Sequence, residues 1–214
     1  MTTVAIDGPG GAGKSTVAGI LAERLGLERL DTGAMYRALT LLALRHGTDP
    51  ADGAGLAGLA REMELSLGDR VVLDGEDVTA EIRAGEVNEV VSLVAAHPEV
   101  RAELVERQRA WVVAHGGGVV EGRDIGSVVL PGAELKVFLT ASPEERAARR
   151  AAETVSGGGA PPADVASVGQ QIAARDLLDS SRSVSPLAVA NGAVVIDSTG
   201  RTVDEVVEEV LKHL

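Results

Sequence analysis

Short apolar runs alternate with longer stretches of helical periodicity along most of this chain. Thr3–Ile6, Glu28–Leu30, Val119–Glu121, Leu135–Leu139 and Val194–Ile196 read as short buried strands. Helical segments separate most of them, which predicts an α/β fold around a largely parallel sheet. Two helix starts carry capping boxes. In Ser142-Pro143-Glu144-Glu145, Ser stands at N-cap, Pro at N1 and Glu at N3, and Thr202-Val203-Asp204-Glu205 repeats the logic. Val203, Val206, Val207, Val210 and Leu211 then fall on one helical face, so the C-terminal helix docks on the sheet.

The pattern changes near residue 65. Leu65-Ser66-Leu67 and Val71-Val72-Leu73 are short strand-like pieces around Gly68-Asp69, and Asp74-Gly75 is a turn signal. This predicts a small antiparallel excursion outside the parallel sheet. The pattern then predicts one helix over Thr79–Ala96 and a longer one from Pro98 through Trp111, stopping at Gly116–Gly118. Residues 60–100 read as a lobe inserted in one domain. The stretch Ser156-Gly157-Gly158-Gly159-Ala160-Pro161-Pro162 lies between two helical segments and reads as a lid tip or, equally, a passive linker.

Composition narrows the function classes. Tyr36, Trp111 and Phe138 are the only aromatics, so no stacking platform for single-stranded nucleic acid is expected. The formal net charge is −12, which disfavours duplex DNA or an anionic membrane as partner. No apolar run approaches the ~20 residues of a membrane span, and the N-terminus enters a strand without a basic, apolar leader. Cysteine is absent, which fits a cytoplasmic location. His46, His97, His115 and His213 show no ligand spacing, so neither a protein metal cluster nor a nucleophilic triad is expected.

One segment carries specific chemistry. Gly8-Pro9-Gly10-Gly11-Ala12-Gly13-Lys14-Ser15 matches the phosphate-binding P-loop, and it lies between a predicted strand and a predicted helix at Ser15–Leu25. That order aims backbone N–H groups at one spot on a helix N-terminus, where anions bind. Lys14 is placed to reach the β- and γ-phosphates of a nucleotide, and Ser15 to ligate Mg²⁺.

Other candidates follow the strand ends that face the ligand crevice of such a sheet. Thr32 and Arg37 follow the second strand; alternatively Thr32 is a helix N-cap and Arg37 a solvated residue. Glu121-Gly122-Arg123-Asp124 follows the third, with a carboxylate placed like the one that helps hold Mg²⁺; Arg123 and Asp124 could instead only order a loop. Arg146, Arg149 and Arg150 share one helical face, as do Arg175, Asp179 and Arg182. The two faces flank the glycine-rich tip and suit a lid over a polyphosphate, or are simply solvated.

With these motifs in place, the chain resembles the bacterial cytidylate kinases, a family of the nucleoside monophosphate kinase group. Residues carrying the resemblance are Ile6–Thr16, Leu30-Asp31-Thr32-Gly33-Ala34-Met35-Tyr36-Arg37, Ser92–Ala96 with Pro98 and Arg101, Glu121-Gly122-Arg123-Asp124-Ile125-Gly126, and Arg175-Asp176, Asp179-Ser180, Arg182 and Ser185-Pro186-Leu187. The second and fourth are far more specific than the P-loop. Leu178 stands where many members have a basic residue, and the 156–162 tip is unusually rich in Gly, Ala and Pro.

The resemblance implies a P-loop three-layer α/β sandwich with a five-stranded parallel sheet. It places the core in 1–59, 101–150 and 183–214, an NMP-binding insertion at about 60–100, and a short lid at about 151–182. It implies transfer of phosphate from ATP, with Mg²⁺, to CMP and dCMP. Gly8, Pro9, Gly10, Gly11, Ala12, Gly13, Lys14, Ser15, Thr16, Arg146, Arg149 and Arg150 would then serve ATP. Thr32, Arg101 and Asp124 would face the base, Ser92, Arg175 and Asp179 the ribose, and Arg37, Arg123 and Arg182 the phosphate. Lys14, Arg37, Arg123 and Arg182 would be catalytic; Asp7 and Glu121 both remain candidates to assist the metal. A cytoplasmic monomer without nucleic-acid or membrane partners is expected. The alternatives are a P-loop kinase of UMP or shikimate and a nonenzymatic nucleotide-binding regulator. A GTPase of the common kind is excluded, because none of the three lysines stands in an Asn-Lys-x-Asp motif.

Overall fold

The first strand, β1 (Thr3–Asp7), is buried along its whole length and runs directly into the glycine loop and α1 (Lys14–Leu25). A computed structural model describes residues 2–156, 164–182 and 184–214. After α1 come β2 (Arg29–Asp31), α2 (Thr32–His46), α3 (Gly53–Glu62), β3 (Leu65–Leu67), β4 (Val71–Leu73), β5 (Glu76–Asp77), α4 (Gly85–Val94) and α5 (Pro98–Ala114). Then follow β6 (Gly118–Gly122), a five-residue π-turn (Ile125–Val129), β7 (Leu135–Thr140), α6 (Pro143–Ser156), α7 (Val165–Ser181), β8 (Val194–Asp197) and α8 (Val203–Leu211).

The main sheet is parallel, with strands in the order β2-β6-β1-β7-β8. β1 sits between β6 and β7, pairing Asp7 with Gly122 on one side and with Phe138 on the other. The chain order reverses around β1, so the carboxyl end of β1 is the switch point where open α/β sheets bind ligands. The P-loop begins there.

The chain divides into two compact units. One comprises the residues up to Arg29 with His115–Leu214; the other is Leu30–Ala114. In the first, Val4, Ile6, Val119, Val137, Leu139 and Ile196 of the sheet pack with Leu21 of α1 and Val206, Val207 and Val210 of α8. Branched aliphatics on buried strands fill this core without any aromatic ring. The α8 expectation holds for most of the stripe: Val206, Val207 and Val210 are buried and Leu211 partly so, while Val203 is exposed, and Thr202 and Glu205 form a full reciprocal capping box. The box at Ser142 is only half made. Ser142 Oγ accepts the Glu145 N–H at 3.2 Å, but the Ser142 N–H donates to Thr199 Oγ1 at 2.8 Å.

In the second unit, α2 packs with α3 and α4, and α3 with α5. The antiparallel excursion is present and has a third strand. Asp74 and Gly75 both take positive φ, 50° and 84°, forming the two-residue turn that pairs Leu73 with Glu76. The predicted helix over Thr79–Ala96 is not continuous: a 3₁₀ turn at Glu81–Arg83 and an extended Ala84 (ψ 158°) precede α4. The reason is local. The Thr79 hydroxyl accepts the Val71 N–H at 2.9 Å and donates to Asp77 Oδ1, so Thr79 closes the hairpin rather than opening a helix. Of the glycine-rich tip at 156–162, all but Ser156 at the end of α6 lies outside the described residues.

Candidate active site

Two glycines show why the loop sequence is what it is. At Gly8, with φ of 150°, a Cβ would sit 2.0 Å from the Leu139 carbonyl oxygen, so no other residue fits. Gly13, with φ of 89°, turns the chain into α1. The first N–H groups of α1 have no carbonyl four residues back within the helix and are left for an anion. Lys14 is buried and its Nζ donates to the Pro9 carbonyl at 2.8 Å, folding the ammonium over the loop.

Two arginines of α6 hold the loop from outside. Arg146 donates to the Gly10 carbonyl at 3.1 Å and pairs with Asp176, whose other oxygen accepts the Gly10 N–H at 3.2 Å. Arg149 reaches the Ala12 carbonyl at 3.4 Å and both Oγ and O of Ser198 at 2.9 Å. Arg150 pairs with Glu153. The Arg146 Nε is buried and has no hydrogen-bond partner among the described residues.

The Ser15 hydroxyl, at the start of α1, donates to Glu121 Oε2 at 2.7 Å. Arg29 flanks the pair, donating to the Ser15 carbonyl at 3.0 Å and lying 3.5 Å from Glu121 Oε1. A serine hydroxyl beside a buried carboxylate is a pair of hard oxygen donors of the kind Mg²⁺ prefers. Asp7, the other candidate, is committed elsewhere: its two oxygens accept the N–H groups of Ile125 and Gly126 at 2.7 and 2.8 Å. No group of three or more His, Cys, Asp or Glu side chains suited to a metal occurs among the described residues.

Beside the P-loop lies a cationic cluster. Asp179 is 1% exposed and accepts from Arg123 Nε at 3.0 Å and from Arg182. Arg123 also donates to the Gly8 carbonyl at 3.1 Å, which ties the cluster to the start of the loop. Burial pushes the Asp179 carboxyl up, but Arg123, Arg182 and Arg175 outweigh it and hold it below the usual range. Burial brings Arg175 down to about 10, with Arg123, Arg150 and Arg182 adding to the effect and Asp179 opposing it. The Arg175 Nε has no hydrogen-bond partner among the described residues. Three guanidinium groups around one carboxylate form a site short of negative charge, suited to a phosphate.

The second unit gathers the remaining candidates. The N-cap of α2 is Asp31, whose side chain accepts the Ala34 N–H at 3.1 Å; Thr32 is the first helical residue and is buried. The reading of Thr32 as a cap is therefore wrong, and so is that of Arg37 as solvated. Arg37 is part-buried and donates to Asn88 Oδ1 at 2.6 Å and the Ile82 carbonyl at 3.2 Å. Ser92, one turn beyond Asn88 on α4, is buried. Arg101 is 4% exposed, with its guanidinium 5.6 Å from the Tyr36 ring centroid. These contacts tie α4 and α5 to α2.

The chain matches the cytidylate kinase family over residues 4–214. A cytidylate kinase from Symbiobacterium thermophilum is 53% identical over 98% of this chain and 94% of its own length. One from Mycobacterium leprae is 50% identical over 97% of this chain and 93% of its own. The chain belongs to the cytidylate kinase family. It is a nucleoside monophosphate kinase, a phosphotransferase. A solved gluconokinase from Sinorhizobium meliloti shares the fold, with a TM-score of 0.51 at 17% identity over 99% of this chain and 90% of its own.

Within this cytidylate kinase fold, sequence reasoning passed over Asn88, Arg29 and the P-loop contact of Asp176. Asn88 and Arg29 stand in no motif. Asp176 was visible only as part of Arg175-Asp176. No helix among the described residues is long and apolar enough to cross a membrane.

Proposed function

We propose the following division of labour for the ATP-dependent phosphorylation of CMP that this family performs. Gly8 to Thr16 hold the polyphosphate of ATP, with Lys14 on its outer phosphates. Arg146 and Arg149 support them by fixing the loop's carbonyls, and Arg150 completes that face of α6. Ser15 and Glu121 hold Mg²⁺, which supplies charge neutralisation on the phosphates when bound. On the acceptor, Thr32, Arg101 and Asp124 serve the base, and Ser92, Arg175 and Asp179 the ribose. Arg37, Arg123 and Arg182 serve the phosphate. dCMP is a second acceptor. The enzyme acts as a cytoplasmic monomer without nucleic-acid or membrane partners, a reading supported by its net charge of −12.

The observation that carries this reading is the double attachment of Arg123. One end touches the P-loop at Gly8 and the other joins the arginine cluster at Asp179. A nucleotide-binding regulator needs the first anion site only; a kinase of a phosphorylated acceptor needs both.

The chemistry asks little of a base. The second pKa of the acceptor phosphate is near ~6, so at neutral pH its oxygen is already a nucleophile. That oxygen attacks the γ-phosphorus, the bond from the γ-phosphorus to the β-γ bridging oxygen breaks, and ADP leaves. Lys14, Arg123 and Arg182 neutralise charge on the moving phosphoryl group.

Base choice tests the residue roles. Cytosine presents an amino donor where uracil presents a carbonyl acceptor, and a carboxylate pairs only with the former. Leaving Asp124 against an acceptor should cost about 2–4 kcal/mol, tens- to several-hundredfold in kcat/KM. Asp124→Asn should cut kcat/KM for CMP strongly and narrow the gap to UMP. An unchanged CMP:UMP ratio would remove Asp124 from base reading.

A further inference from the structure

Asp7 ends β1 one residue before the P-loop, and its side chain is buried, with the residue 2% exposed. Its carboxylate crosses to the chain after β6 and takes the N–H groups of Ile125 and Gly126, one on each oxygen, at 2.7 and 2.8 Å. These are the first two residues of the π-turn, and they follow Arg123 and Asp124 directly. Arg123 makes the parallel tie, donating to the carbonyl of Gly8 at 3.1 Å. The segment 123–126 is thus fastened to the start of the P-loop at two points, one of them ionisable.

We propose that Asp7 is a positioning residue for base choice: by gripping the amides of Ile125 and Gly126 it fixes the backbone at Asp124, and with it the approach of the Asp124 carboxylate to cytosine. The inference rests on the reading of Asp124 as the group that meets the base.

The grip has a chemical requirement. Both Asp7 oxygens must accept, and only the ionised carboxylate offers acceptors on both without a proton in the way. Burial opposes that state and pushes the carboxyl up to about 6; the Gly126 and Ile125 amides pull it down, Asp124 pushes it up and Lys14 pulls it down. Lys14 of α1 and Asp124 of the turn are the charged groups acting on it. Fastening alone does not call for a carboxyl whose ionised form the fold disfavours, because a neutral group costs less to bury. Its charge is accounted for by what it holds. As pH falls through about 6, Asp7 gains a proton, one amide loses its acceptor, and the turn carrying Asp124 loosens.

The test is the ratio of kcat/KM for CMP to kcat/KM for UMP, followed from about pH 5 to about pH 8 in the wild type, Asp7→Asn and Asp124→Asn. Both substrates carry the same 5′-phosphate, so its titration cancels in the ratio. The wild-type ratio should fall about 3- to 10-fold on acidification through about pH 6. Asp7→Asn turns an amide donor toward one of the two N–H groups; its ratio should lie about tenfold below the wild type at neutral pH and stay flat with pH, while KM for ATP changes by less than about twofold. A general loss of structure would lower both rates and leave the ratio alone.

If Asp124→Asn keeps the wild-type ratio, the base-reading assignment fails and the inference falls with it. If Asp124→Asn narrows the ratio but Asp7→Asn does not, or if Asp7→Asn still shows the acid fall, base reading stands and the role of Asp7 is overturned. Should Asp7→Asn not fold, the wild-type profile decides alone: a ratio that falls near pH 6 upholds the proposal and a flat one overturns it.

Discussion

Replacing Asp179 by Asn removes the one carboxylate at the centre of the arginine cluster. The side chain is 1% exposed, and its two oxygens accept from Arg123 and Arg182, with Arg175 close enough to act on its charge. Breaking one partner out of a buried ion pair leaves the others uncompensated and costs about 3–5 kcal/mol. For a chain of this size each kcal/mol is worth about 2–4 °C, so the melting temperature at neutral pH should fall by about 6–20 °C. The sign with pH follows from the direction of the shift. The folded-state pKa is held below its usual 3.8, so the stabilisation is present above that value and is lost as pH falls beneath it; the gap between wild type and variant should close in acid. A second consequence separates this account from simple damage. With its internal counter-charge gone, the cluster should bind inorganic phosphate better, so tens of millimolar phosphate should raise the melting temperature of the variant more than that of the wild type. Calorimetry of both proteins with and without phosphate measures all three effects. A variant that melts within about 2 °C of the wild type, or gains no more from phosphate, would refute the claim that Asp179 balances three guanidinium groups.

Lys14→Ala should fold normally and lose about 10²-fold or more in kcat, because α1 forms without that side chain while the phosphoryl group loses a neutralising charge; steady-state kinetics on a variant of native circular dichroism is the check. Asp7 should titrate visibly in stability. Its pKa is raised from 3.8 to about 6, so the stability it contributes is complete below 3.8 and is lost as pH rises through about 6. Urea unfolding should therefore show the wild type losing about 3 kcal/mol relative to Asp7→Asn between pH 4 and pH 7. The two capping sites should differ. Thr202→Ala breaks a full reciprocal box and should cost about 1–2 kcal/mol, whereas Ser142→Ala removes one bond of a half-made box and should cost about 0.5–1 kcal/mol by the same assay.

The parallel sheet was legible because its strands are short, apolar and bounded by helical periodicity, and each predicted run lies within or beside the strand observed there. The P-loop was legible because its glycines answer a geometric demand, seen at Gly8, where a Cβ would meet the Leu139 carbonyl. The break before α4 was not, because it depends on the Thr79 hydroxyl bonding across a hairpin to Val71, eight residues away. The half-made box at Ser142 escaped for the same reason: Thr199, 57 residues later, takes the N–H that Glu145 would have accepted. In the site, arginines at helical spacing were identified, and Asp179 with them, but not the partners far off in sequence. Asn88, which accepts from Arg37, and Asp176, which grips Gly10, are polar residues whose role depends on what the fold brings opposite them. The choice between Asp7 and Glu121 could not be made from strand-end position, which both share. The proposal of Glu121 rests on the Ser15 hydroxyl pointing at it while Asp7 is occupied by two amides.

Formation of ADP from ATP and Mg²⁺, followed with CMP, dCMP, UMP and shikimate as acceptors, tests the account most directly. The predicted result is ADP released mole for mole with CDP, with kcat/KM for CMP at least tens of times that for UMP and no turnover of shikimate. ADP release indifferent to CMP, or a preference for UMP or shikimate, would contradict it.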